Sequence, residues 1–358
     1  MKLLFVGTNR GGGGTESHFV TLARTMQELG HEVHAIVFPG SPIHIGLQGS
    51  GVVMHDGVFR NAFDPRGFRA VWRVAKQFKP DWIIGSFSKE YWPLAILSKL
   101  LKVKLALFKH MDFPMKKLTN FFIPRMANRF VVISEFMAKN IKQRGVPAER
   151  VNVLYNLLNM DYFKPMPEHR DAIRKEMGYT KDDVVLGFVG ALHPDKGFLQ
   201  LADAVNLAMQ QLPNLKAFWL GDGRAAELLE QKLHAGGFAS RQTRYKWTPD
   251  VRSYYAAMDI LGVPSVKNET FGRVSIEAQA YGVPVLASNT GGLPETLDPG
   301  VTGILLTPGD IEEWCAAIID LVRSKEKRDR MSSQGRLWVE KKFSAEVIGR
   351  EFEIMLEK

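Results

Sequence analysis

At 358 residues the chain is too long for one ordinary core and long enough for two domains of about 150 to 200 residues each. An apolar fraction of 45% with 24% charged residues excludes a disordered chain, and the single cysteine, Cys315, excludes an internal disulfide or a cysteine-based zinc site. The net charge of +9 is uneven: residues 1–164 hold 23 Lys and Arg against 11 Asp and Glu, whereas residues 165–358 hold 24 against 27.

The first element is an apolar strand, residues 2–7, too short to be the core of a signal peptide. A glycine-rich turn follows, and residues 16–29 have helical spacing, with Gly30 at the C′ position. Residues 33–37 are the next strand. Strand, loop, helix and strand in this order build a parallel doubly wound sheet. The rhythm continues with a strand at 82–85, a helix at 93–101 and strands at 104–108 and 130–133. Ser134 then caps a helix that runs to Arg144 and stops at Gly145, and a strand at 151–155 ends the series.

Between Lys99 and Arg150 lie 12 basic residues and three acidic ones. Lys116, Lys117 and Arg125 are interleaved there with Leu118, Phe121 and Phe122. Three readings remain open: a partly buried helix with a solvated basic face, contact with an anionic bilayer, and a path for a nucleic-acid strand. No nucleic-acid-binding signature supports the third. The most apolar stretch, 92–108, is cut by Lys99, Lys102 and Lys104, too soon for a membrane span. The expectation is a cytoplasmic protein, peripheral at most to the inner face of the membrane.

Phe163-Lys164-Pro165-Met166-Pro167 breaks regular structure, and the charge balance changes sign there, which sets a domain boundary at 164/165. Beyond it, strands are expected at 184–189, 216–220, 260–264, 284–287 and 303–306. Helices are expected at 198–211, 225–233 and 274–281, then from Ile311 into a charged helical tail. Cys315 falls in an apolar helical pattern and reads as a buried structural thiol.

Three motifs carry chemistry. Gly11-Gly12-Gly13-Gly14-Thr15-Glu16 joins the first strand to the first helix, where backbone N–H groups can approach a phosphate. Its spacing is not that of a dinucleotide fold, and no Walker sequence occurs. Lys196-Gly197, after the first strand of the second half, can bring a point charge to a phosphate. Glu269-Thr270-Phe271-Gly272-Arg273-Val274-Ser275-Ile276-Glu277 sets two carboxylates eight residues apart around a glycine turn that opens a helix. The N–H groups of Arg273 and Val274 suit a diphosphate. Glu277, among apolar neighbours, needs hydroxyl or cationic partners if buried, and a ribose diol would satisfy it.

The pattern from Glu269 through Glu277, Gly282-Val283-Pro284-Val285 and Gly291-Gly292-Leu293-Pro294-Glu295 resembles the retaining GT-B glycosyltransferases of family 4. The glycine loop, Leu29-Gly30-His31-Glu32-Val33, Lys196-Gly197 and Gly221-Asp222-Gly223 match in the same order, so the resemblance covers almost the whole chain. It implies two Rossmann-like α/β domains facing across a cleft: residues 1–164 for the acceptor, 165–343 for a nucleotide-diphosphate sugar, and a C-terminal helix 344–358 returning to the first. It further implies Glu277 on the ribose, Glu269 on the donor sugar, and backbone donors from Phe271, Gly272, Arg273 and Val274. Lys196 would face the diphosphate, with Gly13 and Gly14 opposite. Trp247 would lie near the base and His110 near the transferred sugar, with His110, Lys196 and Glu269 as the catalytic set.

One departure matters. The family usually has arginine where this chain has Ala191, so neutralisation of the leaving diphosphate falls to Lys196, with His193 or Arg273 in support. Lys246 likewise replaces a usual glycine. No Asp-x-Asp occurs, and no metal or other cofactor is expected. The function implied is transfer from a UDP- or GDP-sugar to a hydroxyl of a lipid-linked or cell-surface glycan precursor, as in lipopolysaccharide or polysaccharide synthesis. The rival readings are a nucleotide-sugar 2-epimerase and a non-catalytic nucleotide-sugar-binding protein.

Overall fold

The computed structural model describes every residue except Asn268. The chain forms two compact units: Met1–Asn159 with Ser344–Lys358, and Met160–Phe343. The division falls five residues before the boundary read from the prolines. Pro167 does not break structure; it occupies the first turn of the helix Pro167–Glu176, where its missing N–H has no acceptor to lose.

Unit 1 holds seven strands: β1 (Lys2–Gly7), β2 (Glu32–Val37), β3 (Val53–Asp56), β4 (Trp82–Gly85), β5 (Lys104–Lys109), β6 (Arg129–Val132) and β7 (Val151–Val153). They form one parallel sheet in the order β3-β2-β1-β4-β5-β6-β7. Unit 2 holds β8 (Val184–Val189), β9 (Leu215–Leu220), β10 (Gln242–Tyr245), β11 (Ile260–Val263), β12 (Val285–Ser288) and β13 (Gly303–Leu306), ordered β10-β9-β8-β11-β12-β13. In each sheet the order reverses between the first strand and a later one. The carboxyl ends at β1/β4 and at β8/β11 are therefore the places where a doubly wound sheet holds ligands.

Each sheet is buried under its helices. Leu3, Phe5, Phe19, Leu22 and Phe108 anchor the first core, and Phe198, Trp219, Ile260, Leu286 and Trp314 the second. Cys315 is buried and free, and burial raises its thiol pKa. The last helix, Ala345–Glu357, is capped by Ser344 and buries Ile348, Phe352 and Leu356 in the first core. Glu353 there meets His31 at 3.0 Å.

Edge strand β3 and the helix Pro65–Phe78 of unit 1 were not among the expected elements. Edge strand β3 has no fully buried residue, so it shows neither an apolar run nor a clean alternation. The helix Pro65–Phe78 starts behind an Asp64 N-cap and buries Val71, Val74, Ala75 and Phe78. Arg66, Arg69 and Arg73 are exposed, so the helix carries the amphipathic period of a surface helix. The segment rich in Lys and Phe forms the helix Lys117–Met126, which buries only Ile123 and Pro124. Among the described residues no helix is long and apolar enough to cross a membrane.

Candidate active site

In unit 2 the loops after β8 and β11 meet at the switch point. The Val266 N–H donates to the Asp195 carbonyl at 2.8 Å, which places Lys196 beside Glu269. Lys196 Nζ lies 2.7 Å from Glu269 Oε2, and Ser265 Oγ donates to the same oxygen at 3.0 Å. Glu269 is almost covered, while Lys196 keeps a third of its side chain exposed. The two residues expected to act separately on diphosphate and sugar are thus a short, charge-assisted pair.

The glycine turn follows. Gly272 has φ 96°, and a Cβ there would stand 2.3 Å from Leu293 Cδ2, so neither backbone nor space admits another residue. Phe271 is buried edge-on to Phe343, with ring centroids 5.5 Å apart; its side chain fixes the turn and leaves only its backbone for a ligand. The helix Arg273–Ala280 has no side-chain cap, so the N–H groups of Arg273 and Val274 have no intrahelical acceptor.

Glu277, one turn further on, is 8% exposed. The sequence argument left a ribose diol to satisfy it, but the protein supplies both partner types itself. Arg273 Nε donates to Oε1 at 2.7 Å and the Tyr255 hydroxyl to Oε2 at 2.9 Å. Each carboxylate oxygen has two lone-pair directions, so the pairing orients the group without exhausting it. Arg273 Nη1 is buried and has no partner among the described residues, a spare cationic donor near the turn.

At the neighbouring strand ends, Gly221 packs against β8: a Cβ there would lie 1.9 Å from the Gly190 carbonyl oxygen. Asp222 Oδ2 accepts from the Trp247 N–H at 3.0 Å. The Trp247 side chain is 59% exposed, available as a stacking surface. Lys246, Ala191 and His193 are exposed as well.

In unit 1 the glycine loop leads into the helix Gly14–Glu28, whose first position has no side-chain cap. Asn9 Nδ2 donates to Glu16 Oε1 across this loop. His110 follows β5 and is buried, and its Nε2 has no partner among the described residues. Burial alone lowers its pKa to about 3, which keeps the imidazole neutral at physiological pH. Its ring lies 4.7 Å from that of His18 and stacks parallel to Phe108 at 5.9 Å.

The β1/β4 switch point holds a group that sequence reasoning missed. Glu90 is completely buried; its Oε1 accepts from the Thr8 N–H at 2.8 Å and the Thr8 hydroxyl at 2.7 Å. Its Oε2 has no partner among the described residues. Desolvation outweighs the two donors and raises its pKa to about 7. Lys89 Nζ donates to the Thr8 carbonyl at 3.0 Å, and the Tyr91 hydroxyl to the Phe108 carbonyl at 2.7 Å. The turn 88–91 therefore ties the tip of β1, which carries the glycine loop, to the end of β5, which carries His110. A lone Glu beside an apolar run shows nothing of this in sequence; Tyr255 and Ser265 were equally silent.

The family model for Glycosyl transferases group 1 matches residues 169–338, and that for Glycosyltransferase Family 4 matches residues 12–162. The chain belongs to the family 4 glycosyltransferases. This family 4 chain is 26% identical over 363 aligned positions to the D-inositol 3-phosphate glycosyltransferase of Thermobispora bispora, covering 90% of the chain and 84% of that relative. It is 32% identical over 207 to the Mycobacterium marinum enzyme of the same name, covering 55% of the chain and 43% of that relative. The aligned stretch therefore spans less than half of the mycobacterial protein. The crystal structure of Anabaena Alr3699/HepE in complex with UDP covers all of both chains with a TM-score of 0.86 at 23% identity; the same protein is also known with UDP-glucose. At this identity the likeness establishes the fold, which is GT-B.

Proposed function

We propose that this chain transfers a sugar from a UDP-sugar to a hydroxyl acceptor, with retention at the anomeric carbon and without a metal ion. The observation that carries the reading is the β8/β11 switch point of unit 2. There a cation paired to a carboxylate (Lys196 and Glu269), an uncapped helix N-terminus and an oriented second carboxylate (Glu277) follow one another along the strand ends. Such a set suits a diphosphate and the two sugars flanking it. The UDP and UDP-glucose complexes of HepE favour UDP over GDP.

In this reading the bond from the anomeric carbon to the diphosphate oxygen breaks, and its electron pair stays on that oxygen. Lys196 and the N–H groups at Gly272 to Val274 stabilise the charge as it develops. Arg273, with its spare Nη1, supplies the second cation that Ala191 cannot. The acceptor hydroxyl attacks the same face and passes its proton to the departing phosphate oxygen. Glu277 holds the ribose and Trp247 covers the base, while Gly13 and Gly14 offer backbone N–H groups of unit 1 to a phosphate. Neutral His110 accepts or donates a hydrogen bond to a sugar hydroxyl without adding charge.

The acceptor is proposed to be a lipid-linked or cell-surface glycan precursor reached at an anionic membrane face. Phe113, Leu118 and Phe121 are each more than half exposed, and the neighbouring Lys116 and Lys117 are exposed as well. An apolar patch ringed by cations suits such a surface.

The test is a donor panel of UDP- and GDP-sugars with and without EDTA, read by thermal shift and donor hydrolysis on wild type and Glu277→Ala. Stabilisation and slow hydrolysis of one UDP-sugar, insensitive to EDTA and lost in the variant, is the expected result. No binding of any nucleotide sugar would overturn the reading. Sedimentation with vesicles of 30% phosphatidylserine tests the membrane face; equal recovery with neutral vesicles counts against it.

A further inference from the structure

We propose that unit 1 carries an anion subsite, formed by Arg66, Arg69 and Arg73, for the phosphate group of a phosphorylated acceptor. A cavity of about 350 Å³ opens at the carboxyl ends of β2 and β3, and all three arginines line it. They lie at i, i+3 and i+7 on the helix Pro65–Phe78, a spacing that sets them on one face. Arg66 is held by Asp64, to which its Nε and Nη2 donate at 2.9 and 2.7 Å. Arg69 and Arg73 are exposed, and the one ion pair this helix makes among the described residues is that of Arg66. Asp56 also lines the cavity, so with Arg66 neutralised by Asp64 a positive excess remains.

The local field agrees with this count. His55, at the end of β3, lies below its ordinary pKa first through burial and then through the charge of Arg73. The rest of the lining includes Phe38, Pro39, Val58 and Ala70. Apolar walls strengthen each guanidinium–anion contact by keeping water from one side, and they favour a phosphate borne on a carbon skeleton over a bare ion. Two guanidinium forks one helical turn apart match the several oxygens of a phosphate better than the two of a carboxylate. The cavity lies on the ligand-holding edge of the sheet, the edge that also carries the glycine loop and His110. The arginines and the cavity stand on their own, whereas the word acceptor rests on the transferase reading.

Calorimetric titration of the full chain at low salt with glucose 6-phosphate, dihexanoyl phosphatidic acid and glucose tests the subsite. The variants are Arg69→Ala/Arg73→Ala and Arg69→Gln alone, with unfolding temperature as the check on folding. Binding of either phosphate at least tenfold tighter than glucose, weakened at least tenfold in the double variant and less in the single one, is expected. The tighter compound tells a soluble sugar phosphate from a lipid headgroup. No preference over glucose, or equal affinity in wild type and variants, overturns the subsite. Titration with UDP separates the two claims. UDP binding without phosphate binding removes the subsite and leaves the transferase reading; phosphate binding with no UDP or UDP-sugar binding does the reverse.

Discussion

Both units place a glutamate at the point where their sheet reverses, and the two glutamates have opposite surroundings. Glu269, after β11, meets a lysine and a serine at the edge of solvent. Glu90, after β4, is sealed from solvent; one oxygen accepts twice from Thr8 and the other has no partner among the described residues. The same topology thus makes an ionic, accessible site in one unit and a buried clamp in the other. A carboxylate held by a cation at the rim can exchange that partner for a ligand. One buried with no cation bonded to it has its pKa pushed up towards neutrality, despite the nearby charge of Lys89, and so couples the loops it joins to pH.

Substitutions can break this contrast, starting with the largest expected effect. Glu277→Ala leaves the partly buried Arg273 and the buried Tyr255 hydroxyl without their acceptor. We expect a loss of about 3–5 kcal/mol in urea unfolding, together with loss of UDP binding in titration. Lys196→Ala removes the cation of the rim pair and should lower UDP-sugar turnover by about 10²–10³-fold, measured as released UDP. Full activity in that variant would end the proposed role of Lys196.

Glu90→Gln probes the clamp through pH. A folded-state pKa near 7, above the ordinary carboxylate value, means that wild-type stability is complete below about pH 4.5 and declines as pH rises through 7. The glutamine variant lacks that decline, so its advantage over wild type should grow by up to about 3 kcal/mol between pH 5 and pH 8 in urea unfolding. His110 has the opposite sign. Its lowered pKa costs wild-type stability as pH falls from about 6.5 towards 3, and His110→Asn should flatten that acid limb in the same assay. The smallest expected effect is that of Tyr255→Phe, which removes one of two donors to Glu277. It should cost about 0.5–1.5 kcal/mol and weaken UDP binding far less than Glu277→Ala.

Much of the frame was legible because periodicity and glycines record local requirements. The buried strands β1, β4, β5 and β8 are continuous apolar runs, and Gly30 and Gly145 stop their helices with φ of 89° and 86°. Gly272 marks its turn for the same reason. Edge strand β3 was not legible, since its four residues are at most half-buried and show no clean period; the helix after Asp64 was legible in its cap and its apolar spacing and was passed over. The candidate site divides in the same way. Lys196, Glu269 and Glu277 stand in a recognisable motif, but their pairing depends on Ser265, Arg273 and Tyr255, which the fold brings to them.

By itself the sequence determined two α/β units, the glycine turns and the titratable groups at the strand ends, because each of these follows from the preferences of residues close along the chain. Only the tertiary structure decided which charge meets which. Thr8 and Glu90 are 82 residues apart, Lys196 and Glu269 are 73 apart, and contacts over such separations arise only when parallel strands from distant segments are set side by side. Burial acts through the same step: it is the closing of the sheet under its helices that turns Glu90 into a proton holder and His110 into a neutral ring.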